Sequence, residues 1–477
     1  MKYLYFFYFL LTSFLVSSQT NDSLVILNEK EFISIVKKFH PVSKQILLIG
    51  KEARGRILSA RGQFDPVISA ETDAKQFQDK QYYALLNAEM VIPSWYGLEF
   101  KGGYALSKGK FLNQQEILPD NGLGSIGVSW QALQGFLMDD RRAAIKRAAL
   151  FQQYTIDQQL VRMNELLFDA WNTYWLWATA YYQKEIFDDA VKVAKSRSDF
   201  VKTSFLLGDF AAIDTIEAQI QLQNRQLEQN QADIELQKAR FLLSNYLWLE
   251  NDIPVDLSST VRPPSQDAIV IGTTGFDEFR NQIQVSVQDN PILKLYDYKL
   301  SDLSVERRLK LEKLKPKLKL SYSLLGTQFD ILENRENSGL VIPQNYKWQA
   351  NFGFPLFLRS ARGDLQLQDV KINQAEYERN LKNLELTNKI KSYFAQLDNN
   401  IDQLSLFDKT LSNYRTLFNA ESQKLDIGES SLFLVNSREN KLIEAKVKKV
   451  ELILKNKMTA AELSWALGDI GILTKVK

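Results

Sequence analysis

Cysteine is absent from the 477-residue sequence, and histidine occurs only once. These absences exclude thiol chemistry and any metal site that depends on cysteine or on several histidines. A lipid anchor on an acylated N-terminal cysteine is excluded for the same reason. The chain therefore lacks the side chains on which many metal and redox sites depend.

A large net charge is also absent, because 59 basic and 57 acidic residues leave a formal net charge of +2. This balance gives no electrostatic footprint for nucleic acid, and we expect no nucleic-acid partner. Hydrophobic residues make up 45% and charged residues 24% of the chain, which excludes bulk disorder.

Motifs of common enzymes are missing as well, since no nucleophile-elbow, Walker or zinc-protease pattern occurs. Residues 122–127 fit G-x-G-x-x-G, but they precede a predicted strand, so we interpret them as a glycine-rich loop and not as a dinucleotide site. Asp139 and Asp140 stand at a predicted helix start, where capping explains them better than paired carboxylate chemistry. We predict a non-enzyme with no catalytic residue, cofactor or metal.

A long apolar run occurs only at the N-terminus. Lys2 is followed by an apolar run over residues 3–16 and by the small residues Ser17 and Ser18. This order is typical of a secretory signal peptide, which we predict over residues 1–18. An N-terminal membrane anchor is the alternative, although the run is short for a spanning helix of about 20 residues.

Two proline pairs define an internal repeat. Pro41 and Pro66 lie 25 residues apart, as do Pro291 and Pro316. After the second proline of each pair the pattern changes from helical to alternating. Proline suits this junction, because it disfavours helix in the preceding residue and is tolerated at the first position of a strand. The same helix-to-strand transition is therefore predicted twice.

Each copy continues with another strand, a very long helix, a glycine and a second helix. The long helices are predicted over roughly 139–205 and 362–425, and they end near Gly208 and Gly428. Pro254, Pro263, Pro264, Gly272 and Gly275 lie between the copies and indicate a connecting segment. The predicted domains are a first repeat over 19–250, a connection over 251–280 and a second repeat over 281–477.

The helix after Gly208 carries apolar residues at a spacing of seven. A sustained heptad repeat keeps one seam facing a neighbour when helices supercoil. The remaining positions are largely amide, which favours a helix with a broad wet face over one buried in a globular core. An ordinary coiled coil explains this pattern equally well. The seam consists of Ile213, Ile220, Leu227, Ile234, Phe241 and Trp248.

Helix length distinguishes these alternatives. At 1.5 Å per residue, each long helix is predicted to run on the order of 100 Å. The predicted helices over 212–248 and 281–313 together approach the same length. One long helix beside two stacked shorter ones gives a wall of uniform height, which an ordinary coiled coil does not require.

The strand segments alternate and are rich in aromatic residues, as expected for transmembrane strands with aromatic belts. Segments 82–92 and 95–107 predict two further strands in the first copy, which either lengthen a hairpin or widen a barrel. A soluble sheet packed on helices is the alternative. The aromatic residues are Trp95, Tyr96, Phe100, Tyr104, Trp130, Tyr322, Phe329, Tyr346, Trp348, Phe352, Phe354 and Phe357.

Taken in order, these features resemble the TolC family of outer-membrane efflux proteins over nearly all of the chain. The turn Gly-x-x-x-x-x-Asp-x-x-x-Ala is intact as Gly208, Asp214 and Ala218, whereas the second copy has Gly428 but Leu434 at the acidic position. The resemblance implies a mainly α-helical fold with a membrane β-barrel, in which three chains share twelve strands above a periplasmic helical tunnel.

The resemblance also implies a location in the cell outer membrane, a homotrimer, contact with outer-membrane lipid, a periplasmic adaptor protein and an inner-membrane pump. Helix ends close the tunnel in this family, with acidic rings near the second-copy turn. Leu434 and Ser437 occupy those positions here, so we place a candidate gate at Asp214, Phe210, Phe433, Leu434 and Ser437, beside the turns at Gly208 and Gly428.

The predicted function is a passive export duct for efflux or type I secretion. A periplasmic coiled-coil adaptor is one alternative, although two full copies with long helices speak against it. A structural coiled-coil protein is another, and it leaves the aromatic strands unexplained.

Overall fold

The computed structural model describes residues 25–269, 276–327, 345–469 and 471. The predicted signal peptide over residues 1–18 and the aromatic residue Phe329 lie outside this part of the chain. The described chain is mainly helical, with one large sheet. Its contacts divide it into two compact units, each of which contains segments from both predicted repeats.

The helices follow the predicted plan closely. The two longest have 68 residues each, and their equal length supports the internal repeat. In chain order the helices are α1 (Glu29–Phe39), α2 (Pro41–Gly62), α3 (Asp140–Leu207), α4 (Ala212–Ser244), α5 (Asp277–Asn281), α6 (Ile283–Gln288), α7 (Pro291–Glu312), α8 (Arg359–Asp426) and α9 (Leu432–Leu467). Among the described residues, none of these helices is long and apolar enough to cross a lipid bilayer.

The prediction of one continuous helix over 281–313 is wrong, because α5, α6 and α7 are separate helices there. Asn290 has the extended backbone that a residue before proline adopts, with φ −63° and ψ 130°. Its side-chain oxygen accepts a hydrogen bond from the Ile292 amide, which makes it the N-cap of α7. His40 caps α2 in the same way before Pro41. The first proline of each pair thus begins a new helix.

Unit 1 consists of Met1–Phe39, Ala170–Gly272 and Asp402–Lys457. A short parallel pairing joins β1 (Val25–Ile26) to β6 (Val261–Arg262). The core is aromatic, since Trp177 is fully buried and the Tyr174 ring stacks on Phe32 at 5.6 Å. The Tyr174 hydroxyl donates to the Leu27 carbonyl at 2.8 Å. These aromatic contacts pack α3 against α1 within unit 1.

Two half-buried residues of opposite charge, Glu29 and Lys457, lie beside this core. Burial raises the pKa of the Glu29 carboxyl, and the Lys457 ammonium offsets part of that rise. Burial likewise lowers the pKa of Lys457, which Glu29 opposes. The Lys457 nitrogen lies 5.1 Å from the centre of the Trp175 ring. Each charge therefore reduces the cost of burying the other.

We expect Lys457→Met to make stability sensitive to pH. Without the ammonium, the folded-state pKa of Glu29 rises further above its unfolded value. The contribution of a raised carboxyl pKa is present below the unfolded pKa and is lost as the pH rises through the folded one. Stability should fall as the pH rises above about 4.3, the ordinary pKa of a glutamate carboxyl, by about 1.4 kcal/mol for each pH unit that separates the folded pKa from the unfolded one. Thermal unfolding followed by tryptophan fluorescence measures this change.

The control for this prediction is the double variant Glu29→Gln/Lys457→Met, which carries neither charge and should show little dependence on pH in that range. If the unfolding midpoint of Lys457→Met changed as little with pH as that of the double variant, the pKa of Glu29 would not depend on the charge of Lys457.

Unit 2 consists of His40–Asp169, Thr273–Ile401 and Met458–Lys477, and it contains the large sheet. The strands are β2 (Val67–Phe77), β3 (Lys80–Pro93), β4 (Leu98–Lys108), β5 (Leu123–Gln131), β7 (Lys317–Thr327) and β8 (Tyr346–Gly353). Their order is β2-β3-β4-β5-β7-β8, and every neighbouring pair is antiparallel. The two further strands predicted in the first copy are confirmed. They are full members of the sheet, so the large sheet has six described strands and not the four implied by a shared twelve.

The helices of unit 2 that adjoin the strands in sequence contact one another in the same order as the strands. The Gln159 side chain of α3 donates to the Ile46 carbonyl of α2 at 2.9 Å. Arg147 of α3 pairs with Asp302 of α7 at 2.7 Å. Lys310 of α7 in turn pairs with Asp364 of α8 at 3.2 Å. The helix order is therefore α2-α3-α7-α8.

Candidate functional site

The large sheet has two chemically different faces. Directly opposed residues in an antiparallel ladder share a face, and residues two apart along a strand share it as well. Ile126, for example, is opposite Gly102 on one side and Leu324 on the other. The first face is apolar and carries Ile68, Ala70, Leu86, Ala88, Met90, Ile92, Phe100, Tyr104, Leu106, Ile126, Val128, Trp130, Leu318, Leu320, Tyr322, Leu324, Tyr346, Trp348 and Phe352.

The second face is polar. Apart from Lys80 and Lys108 at strand ends, the charged residues of the six strands lie on this face. They pair across strands, since Lys101 lies 2.7 Å from Glu89 and Lys319 lies 3.6 Å from Glu99. The Glu99 carboxylate also accepts hydrogen bonds from other side chains of unit 2. The charged residues make this face suitable for contact with water.

The apolar face is exposed in the single chain. Ile68, Trp348 and Phe352 are 76%, 67% and 70% exposed. A soluble sheet packed on helices would cover such side chains, because exposed apolar patches of this kind mark contact with lipid or protein. An apolar outer band that contains aromatic residues, opposite a polar inner face, is the arrangement of a transmembrane barrel strand.

The candidate gate lies in unit 1, where two helix ends have the same turn. Gly208 has φ +91° and Gly428 has φ +80°, a left-handed conformation that favours glycine. In each turn the following residue donates to a carbonyl five residues earlier, from Asp209 to Ser204 and from Glu429 to Lys424. These hydrogen bonds satisfy the last carbonyls of α3 and α8. The predicted equivalence of the two turns is confirmed.

Asp214 lies in the first turn of α4 and is half-buried. Its carboxylate accepts a hydrogen bond from the Ala211 amide at 3.0 Å, and an acid in this position also complements the helix dipole. The structure thus gives Asp214 a capping role.

The structure brings only part of the candidate gate together. Phe210 packs against the cluster of Val201, Ala218 and Leu432, whereas Phe433 is 67% exposed. Leu434 and Ser437 are exposed too. Within one chain, the apolar contact between the two turns is therefore made by Leu432, a residue that the sequence pattern did not single out.

A polar network behind these turns was also missed. The Arg197 side chain of α3 donates to Asn436 at 3.0 Å and pairs with Glu439, both on α9. Asn436 in turn donates to Glu217 of α4 at 3.0 Å. These residues are far apart in the chain, and no local motif connects them. Their contacts join three helices next to the glycine turns.

The predicted heptad seam of α4 is largely exposed in the described part of the single chain. Five of its residues are exposed, namely Ile213, Ile220, Leu227, Ile234 and Phe241. The buried positions of α4 include a second set at a spacing of seven, formed by Ala218, Arg225, Ala232 and Ala239. The contact within the chain therefore uses these residues together with Leu236 and Leu243, and the large apolar seam remains on the surface.

Paired long helices, glycine turns between them and a two-faced antiparallel sheet define the class of fold, which is that of outer-membrane channel proteins. No protein-family model and no curated protein matches this sequence significantly. The fold predicted from the resemblance to the TolC family is nevertheless confirmed by solved structures.

Three of these solved structures show the extent of the likeness. The CmeC outer-membrane channel of Campylobacter jejuni has a TM-score of 0.64 and 12% identity, over 92% of this chain and 85% of that one. The outer membrane protein VceC of Vibrio cholerae has a TM-score of 0.64 and 12% identity, over 92% and 96%. The open-state MtrE outer-membrane channel of Neisseria gonorrhoeae has a TM-score of 0.60 and 12% identity, over 92% and 89%.

Proposed function

We propose that this protein is a TolC-type outer-membrane channel subunit, a passive duct for efflux and not an enzyme. The observation that supports this most strongly is the sheet, whose apolar face is exposed and whose polar face carries paired charges. A lipid-exposed sheet has to close on itself, since unpaired backbone groups are too costly in hydrocarbon. The likeness to outer-membrane channels over 92% of this chain supports this function.

A homotrimer follows from the same proposal. Strands β2 and β8 form the edges of the described sheet, and they run in opposite directions because the number of strands is even. Identical copies can then join β8 to β2 in antiparallel fashion all the way round. The exposed heptad seam of α4 offers a second apolar surface to a neighbouring copy.

The helical part is proposed to form a periplasmic tunnel that meets an adaptor protein and an inner-membrane pump, in a tripartite efflux or type I secretion system. The glycine turns at Gly208 and Gly428 would stand at the tunnel entrance. Phe433, Leu434 and Ser437 are exposed beside them and are available for contact with neighbouring copies or with the adaptor. Phe210 would support this entrance from within each chain.

We expect Asp214 to make the entrance selective for cations, since three copies would place three carboxylates around it. Asp214→Asn keeps a side-chain oxygen for the Ala211 amide but removes the charge, so folding should be unchanged and cation selectivity should fall. Asp214→Ala removes the cap as well, at a cost of about 1 kcal/mol. Reversal potentials across a planar bilayer under a salt gradient measure the selectivity.

The matched control for this prediction is Asp209→Asn, which removes an exposed charge from the adjacent turn. Selectivity that is the same in Asp214→Asn, Asp209→Asn and the unaltered protein would leave Asp214 with a capping role alone.

Cell fractionation tests the proposed function as a whole. The protein should be found in the outer membrane, and its mobility on a gel should change on heating, as for other membrane barrels. Recovery as a monomer in the soluble periplasmic fraction would contradict the proposal and favour a coiled-coil adaptor or a structural protein.

A further inference from the structure

The second hairpin of the sheet, β3 and β4, spans the same height as its neighbours. Val67 to Lys75 of β2 pair with Val91 to Tyr83 of β3. Strand β3 pairs with β4 without a register shift, from Pro93 opposite Glu99 to Ala84 opposite Lys108. Strand β4 pairs with β5 from Leu98 opposite Trp130 to Ala105 opposite Leu123. The hairpin is therefore not a cap on one end of a four-stranded sheet. It lies between β2 and β5 over their full paired length.

The estimated width of six strands nearly equals the estimated width of the four helices that adjoin them in sequence. Four helices in the order α2-α3-α7-α8, at about 9 Å between axes, make an arc of about 36 Å. Six strands about 4.8 Å apart and tilted by about 40° make an arc of about 38 Å. Four strands would cover only about 25 Å. By this estimate, six strands match the width of the four helices more closely than four strands would.

We propose that three copies close a single barrel of eighteen strands, in which β2 of each copy pairs with β8 of the next. This inference rests on the proposed trimeric channel and concerns how its membrane part is built. A barrel of eighteen strands has a backbone diameter of about 36 Å, against about 24 Å for twelve. Barrels of this size leave an aqueous channel, and those of about eight strands are filled by side chains.

The two edges are chemically suited to each other on the polar face. This face of β2 carries Glu71, Asp73 and Lys75, a net negative set, and the one charged residue of β8, Lys347, is basic. On the apolar face, Ile68 of β2 and Trp348 of β8 are both largely exposed. Joining the edges would extend both faces from copy to copy, so the apolar band and the polar lining would each become continuous.

Disulfide cross-linking tests the pairing without interference, because the chain contains no cysteine. Ser69→Cys on β2 is combined in turn with Lys347→Cys, Gln349→Cys and Asn351→Cys on β8, all on the polar face. One of these pairs should link each copy to the next and give a covalent trimer on a non-reducing gel. Ser69→Cys with Glu89→Cys should instead link β2 to β3 within one chain.

The decisive comparison is Ser69→Cys with cysteine at Ser125, Gly127 or Ser129 of β5. These positions are separated by two strands in a barrel of eighteen and should not cross-link. Deletion of residues 80–108 makes β2 and β5 adjacent, so the same scan should then produce a link within the chain. This deletion serves as the positive control if it still assembles.

A link from β2 to β5 in the full-length trimer would overturn the eighteen-stranded barrel and leave the channel function standing. Absence of all β2–β8 links, in a protein that is trimeric in the outer membrane and forms the β2–β3 link, would overturn it as well. A protein that never reaches the outer membrane would instead contradict the proposed function.

Discussion

Ile126→Lys is expected to prevent assembly of the trimer in the outer membrane. Ile126 lies near the middle of β5 on the apolar face and is 57% exposed in the single chain. A lysine on the lipid face costs about 2–4 kcal/mol at the middle of the bilayer. Each trimer would bear this cost three times. The amount of heat-modifiable trimer in outer-membrane fractions is the measurement.

Ser125→Lys is the matched control, because Ser125 is the adjacent residue of the same strand and lies on the polar face opposite Gly103. The added charge would there meet the water of the channel, so the variant should assemble. Equal assembly of Ile126→Lys and Ser125→Lys would mean that the two faces of the sheet do not have different surroundings.

Trp177→Ala is expected to destabilise unit 1 by about 3–5 kcal/mol, the range for removal of a large buried aromatic side chain. The Trp177 side chain is fully buried, and its ring lies 5.6 Å from Tyr174 and 6.5 Å from Tyr181. Its loss would leave a cavity inside the aromatic core of α3. Thermal unfolding of the purified protein in detergent measures the effect.

Leu176→Ala provides the comparison on the same helix, since Leu176 is 44% exposed and its truncation creates no cavity inside the chain. Trp177→Phe should fall between the two, because it keeps most of the ring contacts. If Trp177→Ala lowered the unfolding temperature no more than Leu176→Ala, the aromatic core would not be what stabilises unit 1.

Much of the fold was predictable because its signals are local. Pro66 and Pro316 precede strands as predicted, and the glycines at 208 and 428 end the two long helices. Proline and glycine act on the backbone of their own position, so their effect does not depend on distant contacts. The helix breaks before Pro41 and Pro291 have the same physical cause. The predicted helix over 281–313 relied on hydrophobic periodicity alone and therefore missed the break before Pro291.

The partners of each surface were less predictable. A heptad repeat shows that α4 has an apolar seam, but it does not say whether the neighbour belongs to the same chain. The structure buries the small residues Ala218 and Ala232 within the chain and leaves Ile220 exposed. In the same way, alternation indicated the strands β3 and β4, while their place between β2 and β5 depends on pairing between distant segments.

The candidate gate shows the same limit. Phe210 and Asp214 were found from the turn motif, and both make contacts at the helix ends. Arg197 and Glu439 were not found, because nothing in the sequence near either residue indicates the other. Their pairing depends on the close approach of α3 and α9.

Spin labels along β5 test the central claim most directly, which is that the sheet stands between lipid and water. Single cysteines from Leu123 to Gln131 in the otherwise cysteine-free chain would carry the label. Accessibility to oxygen dissolved in lipid should be high at Gly124, Ile126 and Val128, and accessibility to a water-soluble nickel complex should be high at Ser125 and Ser129. Accessibility that does not alternate along the strand would contradict the account.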